Sequence, residues 1–496
     1  MMSKHQTIRN AIFTIVQVAA SAVFLFTVYR FLLAAIGPKR LGVWSIVMAL
    51  STLTRITDLG FAGGMARFVA KYLALDQRKT ASELVETGAI SLLALVGLML
   101  LAAYPLVGMG LPLVFEPEAV QDAQQLLPYS MASLGLLAVA GVFLSSLDGL
   151  QRADLRNIVL ILGTAVYGVS IFLFVQDRGF LGLGLAQIIQ SVFVLLTSWI
   201  VLRRQIGASC WFPSRWRRDR FKEMIAYNIH LQFSTFASFL GDPLTKLFLG
   251  HYGGLGMVGY YEMANKMVSQ FRAIVVNVNQ VLVPVIAHLK EKNEGALREL
   301  YAGTYTLLFL VSITFYGGVC VLLPFISKVW LGELNFYFLT TAWVMLLAMQ
   351  VNTVSGAAYF SNMGTGRVSI NSVAQVIIGA TNLALGILLG AIFGGPGVIS
   401  AYGIAIVAGS LFLLVGFVRA EGLPLASLLP PTVRTHLAFT LLTSVSCAVV
   451  STNTQYLKPA MQVAVMVGGF VVILVSAVAR VPFAQVVPFL KGRVVG

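Results

Sequence analysis

The stretch RFLLAAIGPKRLGVW, residues 30–44, decides the fold because a second stretch of the chain repeats its pattern. KLFLGHYGGLGMVGYY, residues 246–261, also begins with a cation, reaches a glycine seven residues later and ends in a Gly-x-aromatic sequence after a short turn. Thirteen residues beyond that last glycine each copy carries an arginine, Arg55 in the first and Arg272 in the second. Self-similarity of this kind predicts an internal repeat, here with one inserted residue in the second turn.

Composition places this repeat in a membrane. Of the 496 residues, 58% are hydrophobic and 11% are charged, whereas soluble domains average about 25% charged residues. Apolar runs of about 20 residues, the length that crosses a bilayer, follow one another along the chain. The predicted fold class is therefore an all-α polytopic membrane protein. The formal charge of +15 does not indicate nucleic-acid binding, because the basic residues lie mainly between the apolar runs.

The apolar windows and their breakers predict fourteen transmembrane spans. Their limits are 11–36, 41–71, 83–109, 124–148, 154–176, 179–202, 226–250, 257–287, 296–324, 337–360, 367–392, 396–419, 433–453 and 459–480. The first run is longer than the apolar core of a signal peptide, so we expect it to be retained as a helix.

The distribution of Lys and Arg predicts the orientation. With the N-terminus in the cytoplasm, the inward segments carry 23 of the 34 Lys and Arg residues, the outward loops five and the spans six. Positive charge is enriched on the cytoplasmic side of membrane proteins. Both termini are therefore predicted to lie in the cytoplasm.

The longest polar connection, RRQIGASCWFPSRWRRDRFK, runs from Arg203 to Lys222 and carries seven Lys and Arg residues. We expect a linker that rests on anionic headgroups, with a lipid-recruiting role as the alternative. It divides the chain into repeated halves of six spans, which therefore insert in the same orientation, as two pseudo-symmetric bundles around a central cavity. The predicted domains are an N-terminal lobe, a basic linker, a C-terminal lobe, and two added helices with a short tail: 1–202, 203–225, 226–420 and 421–496.

Nine charged residues lie at least four positions from either end of a predicted span, where each costs about 2.5–3.5 kcal/mol or more and is a candidate functional residue. They are the cations Arg30, Arg55, Arg67, Lys246, Lys266 and Arg272 and the anions Asp58, Asp242 and Glu262. Helical spacing allows local neutralisation, because each anion lies three or four residues from a cation: Asp58 from Arg55, Asp242 from Lys246, and Glu262 from Lys266. Arg67 is expected to extend to the cytoplasmic surface, and Lys266 is a secondary cation of the cavity.

Four cations are predicted to bind substrate. Arg30 and Arg272 have no carboxylate within a helical turn, and the repeat pairs Arg30 with Lys246 and Arg55 with Arg272. Facing halves would bring all four to one central cavity, where two cations from each side suit phosphate or pyrophosphate. Packing between the lobes is the alternative. The anions Asp58, Asp242 and Glu262 are candidates for proton or sodium coupling, or for counter-ions of the empty site.

Three stretches resemble a known family. IGPKRLGVWSIVMALSTLTRITDLGFAGGMARFVAKYLA resembles the opening signature of the polysaccharide (O-antigen) flippases of the multidrug/oligosaccharidyl-lipid/polysaccharide exporter superfamily. LDGLQRADLRN resembles their loop after the fourth helix, and GYYEMANKMVSQFRAIVVNVNQVLVPVIAHL resembles their eighth helix. The likeness covers spans 1 to 12.

The resemblance implies two six-helix bundles around a cavity and alternating access, driven by an ion gradient or the membrane potential. It implies a substrate in which a saccharide is joined to undecaprenyl diphosphate. In the related lipid II branch, arginines on helices 1, 2 and 8 engage the diphosphate, and Arg30, Arg55 and Arg272 lie on those helices here. The multidrug branch uses carboxylates for organic cations, which the positive cavity predicted here disfavours.

The sequence therefore predicts a flippase that moves a polyprenyl-diphosphate-linked saccharide to the periplasmic leaflet, and not an enzyme. A multidrug cation antiporter is the first alternative and a membrane glycosyltransferase or polymerase the second. No cofactor or metal site is expected beyond a coupling H⁺ or Na⁺, since no HExxH, GxSxG or Walker sequence occurs. The expected partners are the lipid-linked oligosaccharide, membrane lipids and the machinery of polysaccharide polymerisation and export.

Overall fold

A computed structural model of the chain describes residues 4–52, 61–207, 211–228, 239–280, 294–364, 367–420, 422, 424, 428–429, 431–452 and 459–479. These residues form fifteen helices and no strand. The helices are α1 (Lys4–Ser51), α2 (Phe61–Ala74), α3 (Arg78–Val114), α4 (Pro117–Gly149), α5 (Ala153–Arg178), α6 (Phe180–Ile206), α7 (Arg218–Asn228), α8 (Asp242–Gly253), α9 (Leu255–Gln280), α10 (Glu294–Leu331), α11 (Phe336–Gly364), α12 (Val368–Phe393), α13 (Gly395–Ala420), α14 (Pro431–Thr452) and α15 (Pro459–Val478).

The all-α membrane class is confirmed. Ten helices within the described ranges are long and apolar enough to cross a membrane, and the chain is a multi-pass membrane protein. The count covers the described residues, whereas parts of the predicted spans 41–71, 226–250 and 257–287 lie outside them. The α1 helix contains the first span and part of the second, α8 has only 12 residues, α9 carries charges, and the strongly apolar part of α15 is short.

The α1 helix is broken at Gly37, where φ is 75° and ψ is 170°. Residues other than glycine rarely adopt this backbone conformation, because their Cβ atom clashes with the backbone. Pro38 follows and lacks the backbone N–H that a continuous helix would use. Gly254, between α8 and α9, has nearly the same conformation, with φ of 78° and ψ of 161°. The conformational counterpart of Gly37 is therefore Gly254, one residue later than the alignment to Gly253 predicts, and no inserted residue is needed.

A second pair of junctions repeats in the same way. Gly179 joins α5 to α6 with φ of 55°, and Gly394 joins α12 to α13 with φ of 64°. Three residues after each junction a glycine packs against the preceding helix: a Cβ at Gly182 would clash with the carbonyl oxygen of Phe174, and one at Gly397 would clash with that of Leu389. The internal repeat is therefore present in the local geometry of both hairpins.

The described residues pack as two units, Met1–Glu262 and Met263–Gly496, and the division falls within α9. In the first unit α6 packs on α4 and α5, and α8 packs on α1. One of its apolar cores takes one or more buried side chains from each of five helices, including Met65, Leu84, Val142, Trp199 and Met224. The predicted domain limits all stay predictions.

The second unit repeats this packing, with α13 against α11 and α12. Its core joins α10, α11 and α13 through Tyr305, Ala358 and Leu414. The last two helices, α14 and α15, pack on α10. There the buried ring of His436 lies 3.0 Å from the Thr314 hydroxyl and 3.1 Å from the Ser476 hydroxyl, so both ring nitrogens have a hydroxyl neighbour.

The loop in LDGLQRADLRN, together with the start of α5, forms side-chain contacts with α1 and α6. The Asp154 carboxylate is 3% exposed and accepts Arg9 at 2.6 Å and Arg152 at 3.1 Å. Arg152 also donates to the side chain of Gln205 in α6 at 2.9 Å, and the Asp154 backbone N–H donates to the side chain of Asn10 in α1 at 3.1 Å. This part of the family-like sequence is explained by its contacts with α1 and α6.

Candidate functional site

Among the predicted site residues that the structure describes, the most deeply buried charges lie around Glu262. The Lys246 ammonium lies 2.7 Å from Glu262 Oε2 and 2.9 Å from Asp242 Oδ2. Lys246 is 5% exposed and Glu262 3% exposed, whereas the Asp242 side chain is 30% exposed. The local pair of Asp242 and Lys246, predicted from helical spacing, is confirmed, and Lys246 reaches Glu262 as well.

Three hydroxyl groups complete this arrangement, which we call the Glu262 cluster and which consists of Tyr29, Ser45, Asp242, Lys246, Tyr261 and Glu262. Ser45 donates to Glu262 Oε2 at 2.8 Å and Tyr29 donates to Oε1 at 3.2 Å. Tyr261 donates to Asp242 Oδ1 at 2.8 Å. Both oxygens of Glu262 therefore accept hydrogen bonds, as a buried carboxylate requires.

Two glycines let the backbones approach at this site. A Cβ at Gly42 would clash with the carbonyl oxygen of Leu255, and a Cβ at Gly259 would clash with that of Pro38. Gly42 and Gly259 are the equivalent glycines of the two repeat copies. Helix–helix contacts in membranes use small residues for such close approach. The repeat glycines thus bring the first turns of α9 against the turn of α1, which places Ser45 beside Glu262.

A constant register of 217 positions relates the two copies, from Gly37 and Gly254 through Gly42 and Gly259 to Arg55 and Arg272. In this register the counterpart of Lys246 is Tyr29, and the counterpart of Glu262 is Ser45. Four of the six residues of the Glu262 cluster therefore form two pairs of equivalent positions. Arg30, which the sequence alignment pairs with Lys246, lies one position further along.

Tyr29 and Ser45 were not among the predicted site residues. Neither is charged, so the search for charges within spans passes over them. The signal that finds them is the register itself, because each stands at the repeat equivalent of a charged residue. The chemical result is one ammonium group held between two carboxylates, with one negative charge in excess when all three groups are ionised.

Arg272 has a different environment. Its Nε donates to the side chain of Asn352 at 2.9 Å, and Asn352 in turn donates to Ser410 at 3.1 Å. The Arg272 side chain is half-buried. Within the described part of the chain no carboxylate lies within ion-pair distance of its guanidinium. Arg272 is thus a cation held in place by neutral groups, with its charge uncompensated by any described carboxylate.

The remaining predicted residues are distributed as follows. The side chains of Arg30, Arg67 and Lys266 are exposed rather than covered by protein. Arg55 and Asp58 lie outside the described residues. No group of three or more His, Cys, Asp or Glu side chains with the geometry of a metal site is present among the residues that the structure describes.

A comparison with protein families decides the assignment. The profile of the family described as polysaccharide biosynthesis protein matches residues 7–290, more than half of the chain. The chain belongs to this family. The resemblance noted in the sequence is confirmed. No curated protein sequence matches the chain.

Solved structures extend the comparison to the fold of the whole chain. The chain is similar to the lipid II flippase MurJ in an inward closed conformation, with a TM-score of 0.71 and 14% identity over 97% of this chain and 100% of that chain. An inward-facing multidrug resistance MATE family transporter of the MOP superfamily gives a TM-score of 0.70 at 13% identity, over 80% of this chain and 94% of that one. A Vibrio cholerae MATE transporter mutant gives 0.55 at 15% identity, over 80% and 98%. At these identities the likeness shows a MOP-type transporter fold.

Proposed function

We propose that the protein is a flippase that moves a polyprenyl-diphosphate-linked saccharide from the cytoplasmic to the periplasmic leaflet by alternating access. The observation that carries this proposal is the match of residues 7–290 to the polysaccharide biosynthesis family. The fold likeness to the lipid II flippase MurJ over 97% of the chain supports it.

The cations proposed to bind the diphosphate are Arg30, Arg55, Lys246 and Arg272. Arg272 is the strongest candidate, because its guanidinium has no described carboxylate partner. Both of its terminal nitrogens can therefore donate hydrogen bonds to phosphate oxygens. Lys246 is proposed to contribute only after one of its two carboxylates is displaced, since both lie within 2.9 Å of it.

The carboxylates are proposed to couple transport to H⁺ or Na⁺. Glu262 and Asp242 share one lysine, so protonation of one of them would leave a neutral cluster. Asp58 keeps its proposed role as coupling residue or counter-ion of Arg55. Lys266 is proposed as a secondary cation, and its side chain is exposed.

The proposed setting is the bacterial inner membrane, with both termini in the cytoplasm as the distribution of Lys and Arg favours. The proposed partners are the lipid-linked oligosaccharide, membrane lipids and the polymerisation and export machinery. We propose that the chain is a transporter and not an enzyme, because its family-like fold is that of transporters and a flippase.

Complementation of a flippase-null strain tests the proposal. Arg30, Arg55, Lys246 and Arg272 are changed singly to Ala, and glycan export is measured at matched protein abundance. Arg272→Ala is expected to reduce export at least tenfold, whereas Arg272→Lys should retain part of it because the charge remains. Normal export by all four Ala variants would disprove the diphosphate assignment.

A multidrug cation antiporter is the second candidate, favoured by the TM-score of 0.70 to a MATE family transporter. Reconstituted protein separates the two functions. Movement of a lipophilic cation that is unaffected by Arg272→Ala would favour the antiporter. Sugar transfer by the purified protein would favour the third reading, a glycosyltransferase or polymerase.

A further inference from the structure

The segment of residues 211–217, which we call the linker strap, is fixed to the ends of two helices of the first unit. The buried Glu86 of α3 accepts the backbone N–H groups of Ser214 at 3.1 Å and Arg215 at 3.0 Å through one oxygen. The Thr87 hydroxyl accepts the N–H of Arg217 at 3.1 Å, and the Trp199 indole of α6 donates to the carbonyl of Trp211 at 2.6 Å. The strap therefore has a defined conformation.

The largest apolar side chains of the strap are exposed. Trp211 is 76% exposed, Phe212 69% and Trp216 49%. The Trp216 indole still donates to Ser91 at 2.9 Å, so its orientation is set. Aromatic side chains are enriched where a membrane meets water, because their rings are apolar and their edges polar.

Arginines surround these aromatic residues. Arg204, Arg215 and Arg218 are exposed, and none of them pairs with a carboxylate in the described part of the chain. Two others are occupied: Arg203 lies over the Trp211 ring at 4.2 Å, and Arg217 lies 3.6 Å from Glu83. Three unpaired guanidinium groups beside three exposed aromatic residues form a basic and amphipathic surface.

This surface lies at one end of the membrane helices. It begins at Arg204 in the last turn of α6 and contacts α3 within four turns of its start at Arg78. The same end of α6 carries Gln205, which Arg152 of the loop before α5 contacts. The headgroup region of the bilayer lies at such helix ends.

We propose that the linker strap and the arginines that flank it bind anionic phospholipid headgroups, with Arg204, Arg215 and Arg218 on the phosphates and Phe212 and the two tryptophans in the interface. Charge complementarity and the position at the helix ends select this partner, since a soluble acidic protein would not account for the three exposed aromatic side chains. The binding is a property of the strap and does not depend on the transported substrate.

The test uses the purified full-length protein in detergent, titrated with phosphatidylglycerol or phosphatidylcholine, with bound lipids counted by native mass spectrometry. The wild type is expected to prefer phosphatidylglycerol. In Arg215→Gln/Arg218→Gln the apparent dissociation constant for phosphatidylglycerol should rise about fivefold for each arginine removed. Added salt should weaken binding of the wild type more than that of the variant.

Matched variants separate a site from net charge. Lys39→Gln/Arg178→Gln removes two exposed cations away from the strap, Arg178 being at the far end of the α5–α6 hairpin, and should leave the affinity unchanged. Arg215→Lys/Arg218→Lys should keep it, and Phe212→Ser should weaken it whereas Phe212→Trp should not. These variants keep the contacts of Glu86 and Thr87. Equal binding of both lipids by the wild type, or equal losses in the strap and control pairs, would overturn the proposal.

Discussion

Lys246 and Arg272 are both cations within predicted membrane spans, yet their surroundings differ in kind. Lys246 is buried between two carboxylates, each within 2.9 Å. Arg272 is half-buried and is held by the amide of Asn352. A buried ion pair costs free energy to separate, because each charge left behind has lost its hydration. A cation held by neutral groups can accept an anion without that cost.

The difference distinguishes two residues for which the sequence alone predicts the same role, binding of the substrate. Lys246 is paired on both sides, whereas Arg272 has no carboxylate partner among the described residues. Under the proposed function, Arg272 is therefore the better placed of the two to bind a phosphate. We therefore expect substitutions at the two positions to affect different measurements, stability for Lys246 and export for Arg272.

The largest effect on stability is expected from Lys246→Met, which leaves Glu262 buried without its cation. The free energy of unfolding should fall by about 3–5 kcal/mol. The double variant Lys246→Met/Glu262→Gln should recover most of this loss, because the uncompensated charge is gone. Arg272→Gln should cost about 1 kcal/mol or less. Denaturation in mixed micelles measures all three, and equal losses for Lys246→Met and Arg272→Gln would contradict the comparison.

A smaller effect is expected where the backbones meet beside the Glu262 cluster. Gly42→Ala places a Cβ against the carbonyl of Leu255 and should lower stability by about 1–3 kcal/mol. Gly256→Ala is the matched control, since no atom lies within 4 Å of a Cβ there, and it should be neutral or stabilising by about 0.5–1 kcal/mol. If Gly42→Ala behaved like Gly256→Ala, the close approach would not hold the cluster together.

The smallest effect is expected in a partly exposed network at the helix ends, which sets the scale for the buried pair. Glu223 of α7 accepts Lys71 at 3.0 Å and the Tyr72 hydroxyl at 2.7 Å. Burial raises the pKa of the Glu223 carboxyl, but these hydrogen bonds and the charge of Lys71 together lower the pKa below its ordinary value of 4.5.

A carboxyl whose pKa is lowered in the folded state stabilises the fold fully above its unfolded pKa, and this contribution disappears as the pH falls through the folded pKa. Glu223→Gln should therefore cost about 0.5–1 kcal/mol at neutral pH and progressively less below about pH 4.5. Stability of wild type and variant measured across that range checks the sign. A difference that grew on acidification would contradict the network.

Much of the fold follows from the sequence. Length and apolar character predict helices, and Arg55, Arg272 and the glycines before them predict a repeat, which the paired conformations at Gly37 and Gly254 confirm. The alignment of the first part of the repeat was wrong by one residue, because it paired Gly37 with Gly253 and not with Gly254. These two glycines are adjacent, and only the backbone angles show which of them makes the turn.

The candidate site was less predictable because helical spacing describes one helix at a time. Helical spacing predicts the contact of Asp242 with Lys246 and no other contact of the cluster. Spacing cannot show that Lys246 reaches Glu262 on the following helix, or that Tyr29 and Ser45 donate to the same carboxylate. Those contacts depend on the approach of Gly42 to Gly259, a tertiary feature.

The constant register of 217 positions also has a consequence for ancestry. A site formed by two identical subunits receives every side chain twice, so a lysine and a glutamate at these positions would arrive as two lysines and two glutamates. Fusion of the copies into one polypeptide removes that constraint. Here the second copy keeps the charged pair while the first supplies Tyr29 and Ser45. Duplication within one gene thus makes accessible a site with a single lysine between two carboxylates, which a homodimer of half-length chains could not contain.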